Sequence, residues 1–256
     1  MDKKNRVSAS IVLFNEDFDI LKQTIDCFLK IALPKKLFLI DNTVRSLFKD
    51  QFKHPDIEYI SSGKNIGFGA GHNAIIERIK DQSSFHLVLN PDVLFQPEVI
   101  STLMVKLEQD SQLAMIAPKV LFPNGDYQFS CRRYPRLKEL LGRRFGFLKP
   151  FFKKIIFKGQ YQDVDLKNAF YAEYITGCFH LYKTADFVAL KGFDERYFLY
   201  MEDVDICKKI DAAGKKKMYD PEVEIKHVLK KGSSKNIALF FRHSFSAIKY
   251  FLKWGF

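Results

Sequence analysis

Apolar residues run almost unbroken from Val7 to Phe14 and stop at Asn15-Glu16-Asp17. A short continuous run bounded by polar residues predicts a strand buried on both faces. From Phe18 to Ile31 the spacing changes, and Ile20, Leu21, Thr24, Ile25, Phe28 and Leu29 fall on one side of a helix. Lys36 to Ile40 predicts a second strand, ending at Asp41-Asn42, and Ile57 to Ile60 a short third. A glycine-rich turn follows, then a helix from Ala70 to Ile79. Phe85 to Leu89 predicts a fourth strand, ending at Asn90-Pro91-Asp92. Pro97 marks the next helix start, where its missing N–H is not needed. Leu113 to Val120 predicts another strand.

Strands alternating with helices predict an α/β domain with a mostly parallel sheet covered on both faces. Ligands bind such sheets beyond the carboxyl ends of the strands. Phe14-Asn15, Asp41-Asn42 and Asn90-Pro91-Asp92 all lie at those ends, so the topology gathers them into one crevice. From Phe122 to Phe170 the pattern breaks down into basic and aromatic residues. Regularity returns at Tyr174. Met201, Val204, Cys207 and Ile210 then predict one buried helix face, with Glu202, Asp203 and Asp205 in the first turn. A helix dipole favours anions there. Gly214 ends that helix, Val223 to Ile225 predicts a strand, and Asn236 to Phe256 an amphipathic, aromatic helix.

Composition narrows the class. The chain has 256 residues, 47% of them hydrophobic, enough for one large domain with an appendage. Its net charge of +11 suits nucleic acid, an anionic membrane or phosphorylated ligands. Cys27, Cys131, Cys178 and Cys207 form no C-x-x-C pair, which argues against zinc and for reduced, cytoplasmic thiols. The apolar run after Met1 to Arg6 is short and reads as a first strand, not a signal peptide. No uninterrupted apolar run approaches the roughly 20 residues of a membrane-spanning helix.

Three segments carry candidate chemistry, each with a plainer alternative. Asp92 at a strand end can hold Mg²⁺ or Mn²⁺ against a diphosphate, or simply cap a turn. The segment Gly63 to Asn73 fails the dinucleotide fingerprint, because His72 stands where the third glycine belongs. Its glycines can still let backbone approach a nucleotide, with Asn65 or Asn73 as hydrogen-bonding groups, or merely form a tight turn. The carboxylates of Glu202, Asp203 and Asp205 crowd one another, which raises pKa and suits a general base. A solvated helix start is the alternative. His227 matters only if it faces the same crevice, where imidazole can ligate Mn²⁺.

In order along the chain, these segments resemble the inverting family 2 glycosyltransferases, which share the GT-A fold. The resemblance runs from Val7 to His227. Ser10 to Asn15 is similar to the family's first strand, Leu39 to Thr43 to its second, and Asn65 to Asn73 to its third nucleotide-binding segment. Leu89-Asn90-Pro91-Asp92-Val93 stands in the place of the D-x-D metal motif. Tyr174 to Cys178 resembles the acceptor-side strand, and Gly192-Phe193-Asp194-Glu195 leads into Glu202-Asp203. The resemblance implies a GT-A domain over residues 1–230, with a basic, aromatic insertion at 131–158 and a helical tail at 231–256. It implies Asp203 as the base with Glu202 beside it. Phe14, Asn15, Asp41, Asn42, Asn65, Gly67, Asn73 and Asn90 would meet the nucleotide sugar, and Asp92 and His227 would hold Mg²⁺ or Mn²⁺.

Two positions depart from the family. Asn90 replaces the first acid of D-x-D, and an amide oxygen is a weaker ligand than a carboxylate. Phe14 replaces a Tyr, which keeps the ring and loses a hydroxyl. Pro118 to Asp126 and Ser130 to Pro135 resemble the rhamnosyltransferases of O-antigen and capsule assembly, so dTDP-rhamnose is the favoured donor and a UDP-sugar the second. The acceptor implied is a glycan hydroxyl, often lipid-linked, at the cytoplasmic face of the membrane. Ten basic residues from Arg132 to Lys158, with interleaved Phe and Ile, would meet anionic lipid or nucleic acid, or form an ordinary solvated face over a core; the aromatic tail adds weight to lipid, unless it packs on the domain or on a second subunit of a homodimer. The rival readings are a basic nucleic-acid-binding protein, which leaves the acids unexplained, and a two-metal nucleotidyltransferase. The resemblance implies no nucleic-acid partner.

Overall fold

The structure, a computed structural model, describes residues 6–46, 48–137, 149–228 and 237–255. Its first unit is strand β1 (Val7–Leu13), helix α1 (Phe18–Leu29), β2 (Lys35–Asp41) and β3 (Ile57–Ser61). Asp17 caps α1, its Oδ1 accepting from the N–H groups of Asp19 and Ile20 at 3.1 Å each. Two short helices follow, α2 (Phe68–Asn73) and α3 (Ile76–Gln82), then β4 (Phe85–Leu89), β5 (Val93–Phe95), α4 (Glu98–Gln109) and β6 (Leu113–Leu121). The single helix expected over Ala70 to Ile79 is therefore two, broken at Ala74–Ile75, where Ile75 leaves helical geometry (φ −111°, ψ 4°).

The middle of the chain gives β7 (Cys131–Arg132), α5 (Lys149–Gly159), β8 (Phe170–Tyr171), β9 (Tyr174–Ile175), β10 (Phe179–Lys183) and α6 (Thr184–Ala189). The last elements are α7 (Glu202–Ala212), β11 (Lys216–His227) and α8 (Ile237–Trp254). Part of the basic stretch, residues 138–148, lies outside the described residues.

The main sheet has the order β3-β2-β1-β4-β10-β6-β11-β5, with β8 added to β11; β7 and β9 form a separate ribbon. From β3 to β4 all neighbours are parallel, as alternating strands and helices require. Beyond that, β10 runs antiparallel to both β4 and β6, so the sheet is mixed on this side. β11 pairs with β6 in parallel through a bulge between Asp220 and Glu224, where Pro221 lacks a donor for the ladder.

Alternation along β1 sorts the two layers. Val7, Ala9, Ile11 and Leu13 pack with Leu21, Ile25 and Phe28 of α1 and Leu103 of α4. Ser8 and Ser10 point to the other layer, where Ile79, Phe187, Ile206 and Tyr250 form the core. Those buried hydroxyls are satisfied by imidazoles: Ser8 bonds His86 Nδ1 at 2.8 Å, and Ser10 bonds His86 Nε2 at 3.0 Å and His72 Nδ1 at 2.7 Å.

α8 packs one face on this second layer and leaves Phe241, Phe245, Ile248 and Leu252 exposed on the other. Its polar contacts fix the segment before α7. Ser246 Oγ donates to Leu199 O at 2.9 Å and Lys249 Nζ to Arg196 O at 2.6 Å. Lys253 bridges Asp194 at 2.8 Å and Asp205 at 2.7 Å. Among the described residues, no helix is long and apolar enough to cross a membrane.

Candidate active site

The carboxyl ends of β1, β2 and β4 open into a cleft of about 580 Å³, closed on the far side by the β7–β9 ribbon and the start of α7. Phe14 stands at its wall, 49% exposed. Asn42 is buried at the β2 end and binds the glycine loop: its Nδ2 donates to Gly67 O at 3.0 Å, while Ser62 Oγ donates to its Oδ1 at 3.1 Å. Asn65 Oδ1 accepts from Gly67 N at 3.0 Å. Gly67 has φ +94°, and a Cβ there would lie 2.5 Å from Phe198 O, so glycine is required by both backbone and neighbour. At Gly71 a Cβ would lie 2.6 Å from Val12 Cγ2. These glycines serve the close approach of α2 to β1 and to the loop before α7.

One end of the cleft gathers Asn90, Asp92 and His227. His227 Nε2 lies 3.3 Å from Asp92 Oδ1 and 3.3 Å from the Asn90 amide. Its Nδ1 donates to Gln128 Oε1 at 2.7 Å, which fixes the ring. Burial disfavours the charged ring, but Cys178 and Asp92 outweigh it and raise His227 to about 10. With Asn90 rotated so that Oδ1 faces the ring, the three groups offer carboxylate oxygen, amide oxygen and imidazole nitrogen. That donor set suits Mg²⁺ or Mn²⁺. Three protein ligands leave coordination positions open, and among the described residues no group of three His, Cys, Asp or Glu could hold a metal ion.

The other end is the first turn of α7. Tyr200 and Met201 precede it with φ of 69° and 70°, both left-handed. Two adjacent non-glycine residues in that region store strain, which the packing around them must hold. The turn sorts the three acids that crowd together in sequence. Asp203 is half-buried and lines the cleft, its Oδ1 accepting from Val204 N at 2.9 Å and Oδ2 from Gly177 N at 3.3 Å. Burial raises its pKa, while those two N–H groups and the field of Arg132 pull it back. Glu202 is 6% exposed with Oε2 unbonded, and burial, with Asp203 adding to it, holds its carboxyl well above the usual range. Of the two, Glu202 is pushed further up and holds its proton the more tightly. Asp205 is fully buried and faces the opposite way, accepting from Lys253 and from Trp254 Nε1, each at 2.7 Å.

Not every expected residue reaches the cleft. Asp41 is 1% exposed and absent from the lining; Thr43 donates to its Oδ1 from N at 2.8 Å and from Oγ1 at 2.7 Å, and Tyr59 donates to its Oδ2. Asn73 faces away and pins the Gly192–Glu195 turn, donating to Phe193 O at 2.8 Å and accepting from Phe193 N at 2.9 Å. Asn15 is exposed with φ 58° and shapes the turn after β1 without lining the cleft. Conversely, Glu16, Gln128 and Arg132 line it and were not expected there. Asp203, the Asn90, Asp92 and His227 group, and Phe14, Asn42, Asn65 and Gly67 therefore share one cleft.

The Glycosyl transferase family 2 profile matches residues 8–172. An N-acetylglucosaminyl-diphospho-decaprenol L-rhamnosyltransferase of Mycobacterium tuberculosis is 27% identical over 185 residues, 68% of this chain and 60% of that protein. The rhamnosyltransferase WbbL of Escherichia coli is 28% identical over 75% of this chain and 72% of its own. The chain thus spans less than two thirds of the mycobacterial relative. Among solved structures, GalNAc-T7 with UDP, GalNAc and Mn²⁺ superposes with a TM-score of 0.66 at 14% identity, covering 88% of this chain and 43% of that one. A mannosyltransferase of Pyrobaculum calidifontis with GDP-Man and Mn²⁺ gives 0.63 at 15%, covering 98% and 65%. The shared fold is the GT-A fold.

Proposed function

Since the chain belongs to glycosyl transferase family 2, we propose that it is an inverting glycosyltransferase using a nucleoside-diphosphate sugar. The observation that carries this reading is the pairing, in one cleft, of Asp203 with the Asn90–Asp92–His227 group. Asn42, Asn65 and Gly67 form the wall against which the nucleotide lies, with Phe14 offering a ring face to the base. Asp92 and His227, with the Asn90 oxygen, would hold Mg²⁺ or Mn²⁺, which supplies positive charge to the departing diphosphate. His227 must give up its Nε2 proton to take that role. Asp203 accepts the proton of an acceptor hydroxyl, whose oxygen attacks the anomeric carbon from the face opposite the diphosphate.

The named activities of the two rhamnosyltransferase relatives favour dTDP-rhamnose as donor and a lipid-linked glycan as acceptor, with a UDP-sugar second. Such an acceptor goes with work at the cytoplasmic membrane surface. The exposed apolar stripe of α8 and the net charge of +11 suit an anionic lipid surface. A homodimer through the same stripe is the alternative. The nucleic-acid reading loses support at Arg133, which is tied to Asp163 at 2.7 Å. The two-metal nucleotidyltransferase reading loses support because the Asp92 end offers one carboxylate.

Asp203→Asn tests the base. Release of dTDP from dTDP-rhamnose in the presence of acceptor should fall by about 10²- to 10⁴-fold while Mg²⁺-dependent donor binding survives. Near-normal turnover would remove Asp203 from that role.

A further inference from the structure

Arg132 is the only Lys or Arg among the described residues that line the cleft, in a chain with 41 of them. It sits on β7 opposite Tyr174 of β9, the strand that runs on to Gly177 and its hydrogen bond to Asp203. Its Nη1 is buried and hydrogen-bonds nothing. Among the described residues it makes no ion pair, not even with Asp203, whose proton affinity its field lowers. The next residue behaves in the opposite way. Arg133, on the other face of the ribbon, donates to Asp163 and to the Lys158 carbonyl and lies 4.4 Å over the Tyr161 ring. Strand alternation thus sends one arginine into structure and the other into the cleft.

A guanidinium donor without an acceptor is costly when buried, so the geometry calls for an acceptor that the protein does not supply. The cleft also carries Glu16, Asp92, Glu202 and Asp203. Those acids repel a phosphorylated substrate, and a fixed cation offsets them. Arg is the side chain whose planar fork matches phosphate oxygens, and it stays charged at every working pH.

We propose that Arg132 is a phosphate-binding residue of this cleft, donating to an oxygen of a substrate diphosphate. The inference rests on the transferase reading above. The diphosphate is that of the nucleotide donor or that of a lipid-linked acceptor, two sources of one chemistry. The place of Arg132, on the ribbon whose second strand leads to Gly177 and Asp203, suits the acceptor.

The test compares the full chain with Arg132→Gln and Arg132→Lys by calorimetry, with dTDP plus Mg²⁺ as donor probe and geranyl diphosphate as acceptor probe. Loss of a charge-assisted hydrogen bond should weaken one probe by about 10- to 100-fold in Arg132→Gln and less in Arg132→Lys. Weaker geranyl diphosphate with unchanged dTDP assigns Arg132 to the acceptor; the reverse assigns it to the donor; either result supports the inference. Both probes bound by both variants within twofold of the wild type overturns it and leaves the transferase reading standing. A wild-type chain that binds neither dTDP nor geranyl diphosphate overturns both. Melting curves establish that each variant is folded, and Arg132→Lys serves if Arg132→Gln is not.

Discussion

Acidification should unfold this protein through histidines remote from its chemistry. His72, His86 and His180 are all fully buried. Burial holds His86 down to about 3 and His180 to about 4, and holds His72 well below its ordinary value as well. In the unfolded chain each ring takes its proton near 6.5. Between pH 6.5 and about 4 the unfolded state therefore binds more protons, and stability falls as pH falls. At pH 5 each of His86 and His180 lies about 1.5 pH units below its unfolded pKa. At 1.36 kcal/mol per unit that is about 2 kcal/mol apiece, or about 4 kcal/mol lost between pH 8 and pH 5, with His72 adding in the same direction. Against a typical stability of 5–15 kcal/mol, roughly a quarter or more of the total is at stake. His227, Asp203 and Glu202, whose pKa values are raised, act in the opposite sense, so the share of the three buried histidines is read as a difference. Urea unfolding at pH 8 and pH 5 should give a drop about 2 kcal/mol smaller in His86→Gln than in wild type, whatever the variant costs at pH 8. An equal drop in the two proteins, or a His86 resonance titrating near 6.5 in the folded state, would refute the reasoning.

Three other perturbations test separate parts of the structure. Lys253→Met leaves the fully buried Asp205 without its cation, and a loss of about 3 kcal/mol, read by thermal melting, is expected. Gln128→Leu frees the His227 ring at Nδ1, and Mn²⁺-dependent donor binding should weaken about tenfold in calorimetry, as loss of an outer-shell partner does. Gly67→Ala meets Phe198 O and a φ of +94°, so it should cost at least about 1–3 kcal/mol by denaturant titration and distort the cleft wall.

Much of the fold was legible in the sequence because burial leaves a period. β1, β2, β4 and β6 read as apolar runs, and their polar ends, Asn42, Asn90 and Asp92, fell where parallel strands present them to a cleft. The order of motifs carried the family. The run from Glu202 to Asp205 resisted division, since adjacent acids on one helical turn look alike in a sequence. Only the tertiary structure decided that Glu202 packs beneath the cleft, that Asp203 faces it, and that Asp205 turns to Lys253 and Trp254 of α8.

The same limit applies to Asp41, Asn73 and Arg132. Their residue types suited ligands or surface; that Tyr59 holds Asp41, that Asn73 binds the Phe193 backbone and that Arg132 Nη1 is buried without a hydrogen bond came from the tertiary structure. Hydrophobic periodicity specifies which face of an element is buried, because water exclusion acts on each residue locally. What stands across from that face depends on contacts between segments distant in the chain, and the spacing of residues does not encode them.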